Sequence, residues 1–445
     1  MEKSSKTLTA NFVQTFQSEL VLILITTISG IILARVLGPT GRGEYITVTI
    51  WGNLLIWYLN LNLYQTIIYY WKVLNDKKDD LFNTLFWASA ILGLVAVIIG
   101  EVIIVPFVLS DLDTKVVLAS KIFLIGLIPG MTNNVIMGRL AAQEKFLLAN
   151  IRRIVIPLFT TLIIILLYTI NYLNAQNAIY TTFIVNFIVS VFTIIYAIRQ
   201  GFFKYGKINF KLLYTIWYGF KAQGGTIAEA TSGNATQMIL SAMLPSASLG
   251  LYSTAQSSAS PVSTISNALQ KVSFPRMTGL KSLETQSETI KLWNKNLILN
   301  FSAAIPFALT LPILIPLIYG KNYVESIIPA VILVFFTILN GQSLILRNAI
   351  NGFGKTWVNT ITEVISAGFI IITLTVSVSS IGIIGASVIV VIATLIKISI
   401  YLIEFNKHIC KINFLQLVPK QKDFIELLYN FKKLYISVKA KALKF

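Results

Sequence analysis

Long apolar stretches recur along almost the whole chain, and each is long enough to cross a lipid bilayer as a helix. Crossing about 30 Å of hydrocarbon takes about 20 apolar residues. The stretches predict helices at 12–35, 45–71, 83–109, 116–138, 153–173, 178–198, 224–244, 250–272, 297–319, 326–349, 358–378 and 382–405. With 55% of residues hydrophobic and 12% charged, too little polar surface exists to cover a soluble globule of 445 residues. Lipid is therefore the solvent, and backbone groups must be satisfied within each segment. The expected fold is all-α and polytopic, with about twelve transmembrane helices in two six-helix halves around a central cavity. No loop is long enough to hold an extramembrane domain. The first stretch is too long, and too poorly followed by small residues, for a cleaved signal peptide.

The net charge is +18 and its distribution is uneven. With Met1 inside, only Arg35, Arg42, Lys115, Lys121 and Lys321 fall in outside loops, and Lys397 falls within a helix. The other basic residues cluster on one side, so both termini are expected in the cytoplasm. The same bias accounts for the high charge through topology and lipid headgroups, and no nucleic-acid partner is expected. A single cysteine, Cys410, allows neither an internal disulfide pair nor a cysteine-based metal cluster. With the lone His408 it does not close a zinc site. No metal and no cofactor is expected.

The chain repeats itself at an offset of 207 residues. LGPTGRGEYIT, beginning at Leu37, recurs as LPSASLGLYST, beginning at Leu244, which places Gly43 opposite Gly250 and Tyr45 opposite Tyr252. A second echo likens GRLAAQEKFLLAN to RNAINGFGKTWVN, with Lys145 opposite Lys355 at an offset of 210. Six helices per half give both halves one orientation, a parallel repeat of the kind transporters use. The expected organisation is an N-terminal half at 1–205, a C-terminal half at 206–405 and a basic tail at 406–445. A basic-aromatic surface linker spans 200–221. In the tail, Phe424, Leu427, Leu428, Phe431, Leu434, Tyr435 and Val438 follow helical spacing with lysines opposite, as an amphipathic helix at a cytoplasmic membrane surface does.

Polar residues at membrane depth mark the parts that face protein or water. Helices 7 and 8 carry the most, in GGTIAEATSGNATQ (224–237) and YSTAQSSASPVSTISNALQ (252–270). Small residues there also permit close helix packing. Asn60, Asn62 and Gln65 in helix 2, Asn133 and Asn134 in helix 4, Gln256 in helix 8 and Asn340 in helix 10 are candidate substrate-binding groups. Arg35 and Arg42 either anchor helix ends or supply planar forks for an anionic group. Glu19 and Glu229, with Asn234 and Gln237 beside the latter, either make structural hydrogen bonds or bind a coupling ion. Glu101, Glu363, Lys397 and Glu404 read as snorkelling or paired.

No catalytic constellation is present. HExxH and GxSxG are absent, and Gly354-Lys355-Thr356 lacks the first glycine of a phosphate loop, because residue 349 is Ala349. The expectation is a transporter, not an enzyme.

The junction ILARVLGPTGRGEYITV (32–48) resembles the R-x-L-G-P-x-x-x-G-x-Y turn of the Wzx-type polysaccharide flippases. These form a branch of the multidrug/oligosaccharidyl-lipid/polysaccharide exporter superfamily. The 6+6 plan, the topology and the basic loop after helix 4 agree, over roughly residues 5–405. The resemblance implies an undecaprenyl pyrophosphate-linked oligosaccharide, as in O-antigen or capsule synthesis, flipped by alternating access across a bacterial cytoplasmic (inner) membrane. It also implies membrane lipid, a polysaccharide polymerase and glycosyltransferases as partners. A small-molecule exporter of the same fold, or a membrane enzyme of glycan assembly, is the alternative.

Overall fold

The computed structural model describes residues 2–145, 147–277, 279–421 and 423, with side chains except those of 2–21, 23, 75, 222, 268, 271–276 and 414. No strand forms among them. The helices are α1 (Glu2–Leu59), α2 (Leu63–Val73), α3 (Lys78–Ile99), α4 (Val105–Val108), α5 (Thr114–Ile125) and α6 (Leu127–Ala142). There follow α7 (Leu147–Thr169), α8 (Ala175–Arg199), α9 (Tyr214–Met243), α10 (Ser246–Met277), α11 (Ser282–Tyr319), α12 (Ile327–Gly352) and α13 (Thr356–His408). The amphipathic helix expected in the tail lies almost wholly outside the described residues.

Eight stretches are long and apolar enough to cross a membrane, and two of them, Leu24–Val73 (50 residues) and Thr356–His408 (53 residues), suffice for two crossings each. At 1.5 Å per residue either is more than twice the hydrocarbon thickness. The helices that fall short are α9 and α10, the two richest in hydroxyls and amides. Outward-facing Phe107, Leu309, Ile313 and Val376 are each at least 70% exposed, as lipid-facing residues are in a chain without its lipid.

Glycine makes the long helices fold back. Gly38 in α1 has φ 66°, ψ −177°, and Gly382 in α13 has φ 57°, ψ −157°. This region of backbone space is essentially closed to residues with a Cβ. At the equivalent turn of the repeat, an extended Leu244 (opposite Leu37) followed by Pro245 (opposite Gly38) separates α9 from α10.

The second echo of the repeat is a shared helix ending. Lys145 N donates to Leu140 O at 2.8 Å and Glu144 N to Ala141 O at 3.0 Å. Lys355 N donates to Ile350 O at 3.2 Å and Gly354 N to Asn351 O at 2.9 Å. Glu144 (φ 60°) and Gly354 (φ 76°) hold the left-handed position that such a C-terminal cap requires.

The chain divides into two compact units, Met1–Ser253 with Ile318–Asn322, and Thr254–Leu317 with Tyr323–Phe445. The sequence repeat changes halves at 205/206, so α9 belongs to the second half by repeat and to the first unit by packing. Trp51 Nε1 donates to Ser241 Oγ at 2.9 Å, and the hydroxyls of Tyr58 and Thr231 lie 3.0 Å apart, joining α1 to α9.

In the first unit one apolar core gathers Leu63, Ile67, Trp71, Phe82, Ile136 and Phe202. A second gathers Val48, Leu55, Ile104, Leu124, Met131 and Ile179. Arg139 is sealed into the first of these. Its guanidinium meets Asp79 at 2.9 Å, donates to Phe202 O at 3.0 Å and lies 4.1 Å from the centre of the Phe202 ring. Nearby, Asn83 donates to Gly206 O, Asp80 accepts from Lys207 N and Thr84 accepts from Asn209 N. The stretch read as a surface linker is thus tied to α3 and α6 residue by residue at its start.

In the second unit, α12 and α13 pack around Leu346, Ala349, Val358, Tyr401 and Phe405. Lys397 and Glu363 form an ion pair at 2.6 Å with side chains 14% and 7% exposed, and Glu404 meets His408 at 3.1 Å. Of the four charges read as snorkelling or paired, Glu363 and Lys397 pair with each other. Residues 409–421 and 423 fold back onto α11: Trp293 Nε1 donates to Leu417 O at 3.1 Å, and Asn294 reaches Gln416 O and Asp423.

Two local features depart from the expected helices. Leu61 (φ 47°) and Asn62 (φ 50°) break the second span between α1 and α2. Asn62 is placed there by its tolerance of left-handed backbone, in a turn rather than on a helix face. Gln223 of α9 donates to Trp57 O in the last turn before the break. The third span contains a π-helical segment at Gly100–Ile104, where Glu101 lies.

Candidate functional site

The first unit contains a partly open cavity of about 430 Å³. Tyr45, Thr49 and Asn53 of α1 face it, with Asn134 of α6, Arg152 of α7, and Thr182, Asn186 and Ser190 of α8. Phe123, Phe183, Ile56 and Leu127 supply apolar wall, and Gly126 and Gly130 leave part of it bare. The volume falls in the range of small-molecule sites, and so does the mixture of apolar wall and convergent polar groups.

Hydrogen bonds divide the polar lining into two classes. Tyr45 and Thr182 share a hydroxyl contact at 3.0 Å, Thr182 donates to Ala178 O, and Thr49 donates to Tyr45 O. Asn186 donates to Thr182 O at 2.8 Å. These groups are committed to the wall. Asn53, Asn134 and Arg152 make no hydrogen bond or ion pair among the described residues, and Arg152 Nε is buried without a partner. The lining contains no Asp or Glu. A buried cation is costly and normally finds a carboxylate or a carbonyl. Here the protein leaves that position open.

The sequence candidates fall into several places. Asn134 lines the cavity. Its neighbour Asn133 is fully buried and donates to Pro129 O at 2.6 Å, a bond within its own helix. Arg35 and Arg42 converge on one segment of the same unit: Arg35 Nε donates to Ile318 O at 2.6 Å, and the guanidinium of Arg42, 5% exposed, lies 5.5 Å from the centre of the Tyr319 ring. Asn60 is half-buried at the helix break with its carbonyl oxygen unpartnered, and Gln65 is exposed. Gln256 is half-buried in α10 and Asn340 in α12, both in the second unit.

Of the coupling candidates, Glu19 has its side chain outside the described residues. Glu229 is on the exposed face of α9, Gln237 is half-buried, and Asn234 donates to Ala230 O at 2.8 Å. The hydroxyl of Thr231, two residues on from Glu229, is engaged by Tyr58. No group of three or more His, Cys, Asp or Glu side chains gathers to hold a metal among the described residues.

Arg152 was not singled out from sequence. Arg152-Arg153 follows a basic loop and reads as a topology signal, and the predicted helix begins at 153. The structure starts that helix at Leu147, which carries Arg152 more than a turn inside.

The chain is thus an all-helical, membrane-embedded protein whose repeat of six helices is that of a transporter fold. Solved structures with this fold include the lipid II flippase MurJ in an inward closed conformation, with a TM-score of 0.68 and 14% identity over 96% of this chain and 92% of that one. An inward-facing multidrug resistance MATE family transporter of the MOP superfamily aligns with a TM-score of 0.67 and 14% identity, over 87% and 95%. A MOP superfamily transporter from Pyrococcus furiosus, described by the reverse polarity of its binding pocket, aligns with a TM-score of 0.52 and 16% identity, over 88% and 93%. No curated protein sequence matches. The model of the polysaccharide biosynthesis protein family matches residues 32–328, and the chain belongs to that family.

Proposed function

We propose that the protein flips a lipid-linked oligosaccharide from the cytoplasmic to the outer leaflet of a bacterial cytoplasmic membrane, as a step in polysaccharide synthesis. The match to the polysaccharide biosynthesis family over residues 32–328 carries this reading. The chemistry of the first unit supports it. A glycan presents hydroxyls to amides and an anionic linkage to a cation, whereas an exporter of cationic drugs needs carboxylates, and the cavity has none. Undecaprenyl pyrophosphate is the carrier that the sequence resemblance implies. Both termini are cytoplasmic on the charge bias, and alternating access needs no bound cofactor.

Arg35 and Arg42 act in this reading as a clasp on Ile318 and Tyr319, and Glu229 remains the candidate for a coupling ion. The test is reconstitution of the purified protein in vesicles with a fluorescent undecaprenyl pyrophosphate-linked oligosaccharide, read by quenching from outside. Transfer faster than in protein-free vesicles is expected. Transfer at the protein-free rate, together with uptake of a cationic dye, would replace the flippase with a small-molecule exporter.

A further inference from the structure

We propose that the cavity of the first unit is a subsite for one acidic sugar, with Arg152 taking its carboxylate and Asn53 and Asn134 taking its hydroxyls. This rests on the flippase reading and narrows its substrate to a glycan with a negatively charged residue.

Three observations carry it. First, Arg152 faces the cavity without a protein counter-charge: no Asp or Glu lines the space, and its Nε is buried and unpartnered. A guanidinium offers a planar fork matched to a carboxylate, and such a charge-assisted pair is stronger where water is scarce. Second, the amides of Asn53 and Asn134 make no hydrogen bond among the described residues, while the surrounding hydroxyls of Tyr45, Thr49 and Thr182 are used internally. Amides both donate and accept, which suits sugar hydroxyls, whereas a site for a bare inorganic ion needs donors only. Third, the volume of about 430 Å³ is ample for a monosaccharide and far larger than one small ion requires.

The experiment uses the full-length purified protein in lipid nanodiscs and measures binding of glucuronate, glucose and inorganic phosphate by calorimetry. Glucuronate should bind at least about tenfold more tightly than glucose, the size of one charge-assisted hydrogen bond. Arg152→Gln should erase that preference, and Arg152→Lys should keep part of it. Asn134→Asp puts a carboxylate on the wall of the same cavity and should weaken glucuronate more than it weakens glucose, narrowing the preference. It also keeps the test open if Arg152→Gln does not fold. Equal affinities for glucuronate and glucose, or a preference that survives both Arg152→Gln and Asn134→Asp, would overturn the proposal. Phosphate binding as tightly as glucuronate would assign the cavity to a free inorganic anion and overturn the sugar.

The vesicle assay separates this inference from its premise. Flipping of lipid-linked glycans without Arg152-dependent glucuronate binding removes the acidic-sugar subsite alone. Arg152-dependent glucuronate binding without flipping supports the subsite and removes the flippase reading alone.

Discussion

Asn133 and Asn134 are adjacent in sequence and chemically identical, yet one packs and the other lines a cavity. Successive helix residues point about 100° apart, so only one of the pair can face a given space, and choosing it requires the neighbouring helices. The same limit hid Arg152, whose residue type and position match a cytoplasmic topology signal. Lys397 and Glu363 show the opposite case. Two opposite charges at membrane depth had to meet something, and they meet each other at 2.6 Å. Removing one partner of such a buried pair strands the other and costs about 3–5 kcal/mol. Lys397→Met and Glu363→Leu should each lower unfolding stability by that order in detergent. The double variant should recover most of the loss. Chemical denaturation of the three variants checks this, and equal losses in the single and double variants would show that the pair is not coupled.

Helices were legible because length and apolarity decide what crosses a bilayer. The corner at Gly38 was legible too, since a Gly-Pro turn stands out against apolar sequence. The break at Leu61-Asn62 and the π segment at Gly100–Ile104 were not, because weak helix formers such as Asn62 and Gly100 also occur inside unbroken spans, and packing decides which of them interrupts a helix. Nor did the basic-aromatic stretch after α8 show that it is fastened. Arg139 holds its start through Asp79, the Phe202 carbonyl and three aromatic rings. Arg139→Ala should release this stretch first, since local opening follows the loss of its few anchors. Trypsin should then cut at Lys204 and Lys207 about tenfold faster, with α12 and α13 unaffected. An unchanged digestion rate would mean that Asn83, Asp80 and Thr84 suffice.

At the scale of the molecule, the repeat seen at an offset of 207 is more than a likeness of two strings. A methyl built on Gly43 would collide with the carbonyl of Ser246, and one built on Gly250 would collide with the carbonyl of Pro39. Ser246 is the repeat equivalent of Pro39, as Gly250 is of Gly43. Each glycine therefore rests on the other's turn, within the first unit. Because both sit in one contact, Gly43→Ala and Gly250→Ala should cost similar amounts, and the double variant less than their sum. A thermal-unfolding series of the three proteins measures this, and strict additivity would argue against a shared contact. A patch that meets its own equivalent is what joins two identical subunits about a twofold axis. This chain carries that isologous interface inside itself, so the pairing other proteins obtain by assembly is here a property of a single polypeptide and independent of its concentration.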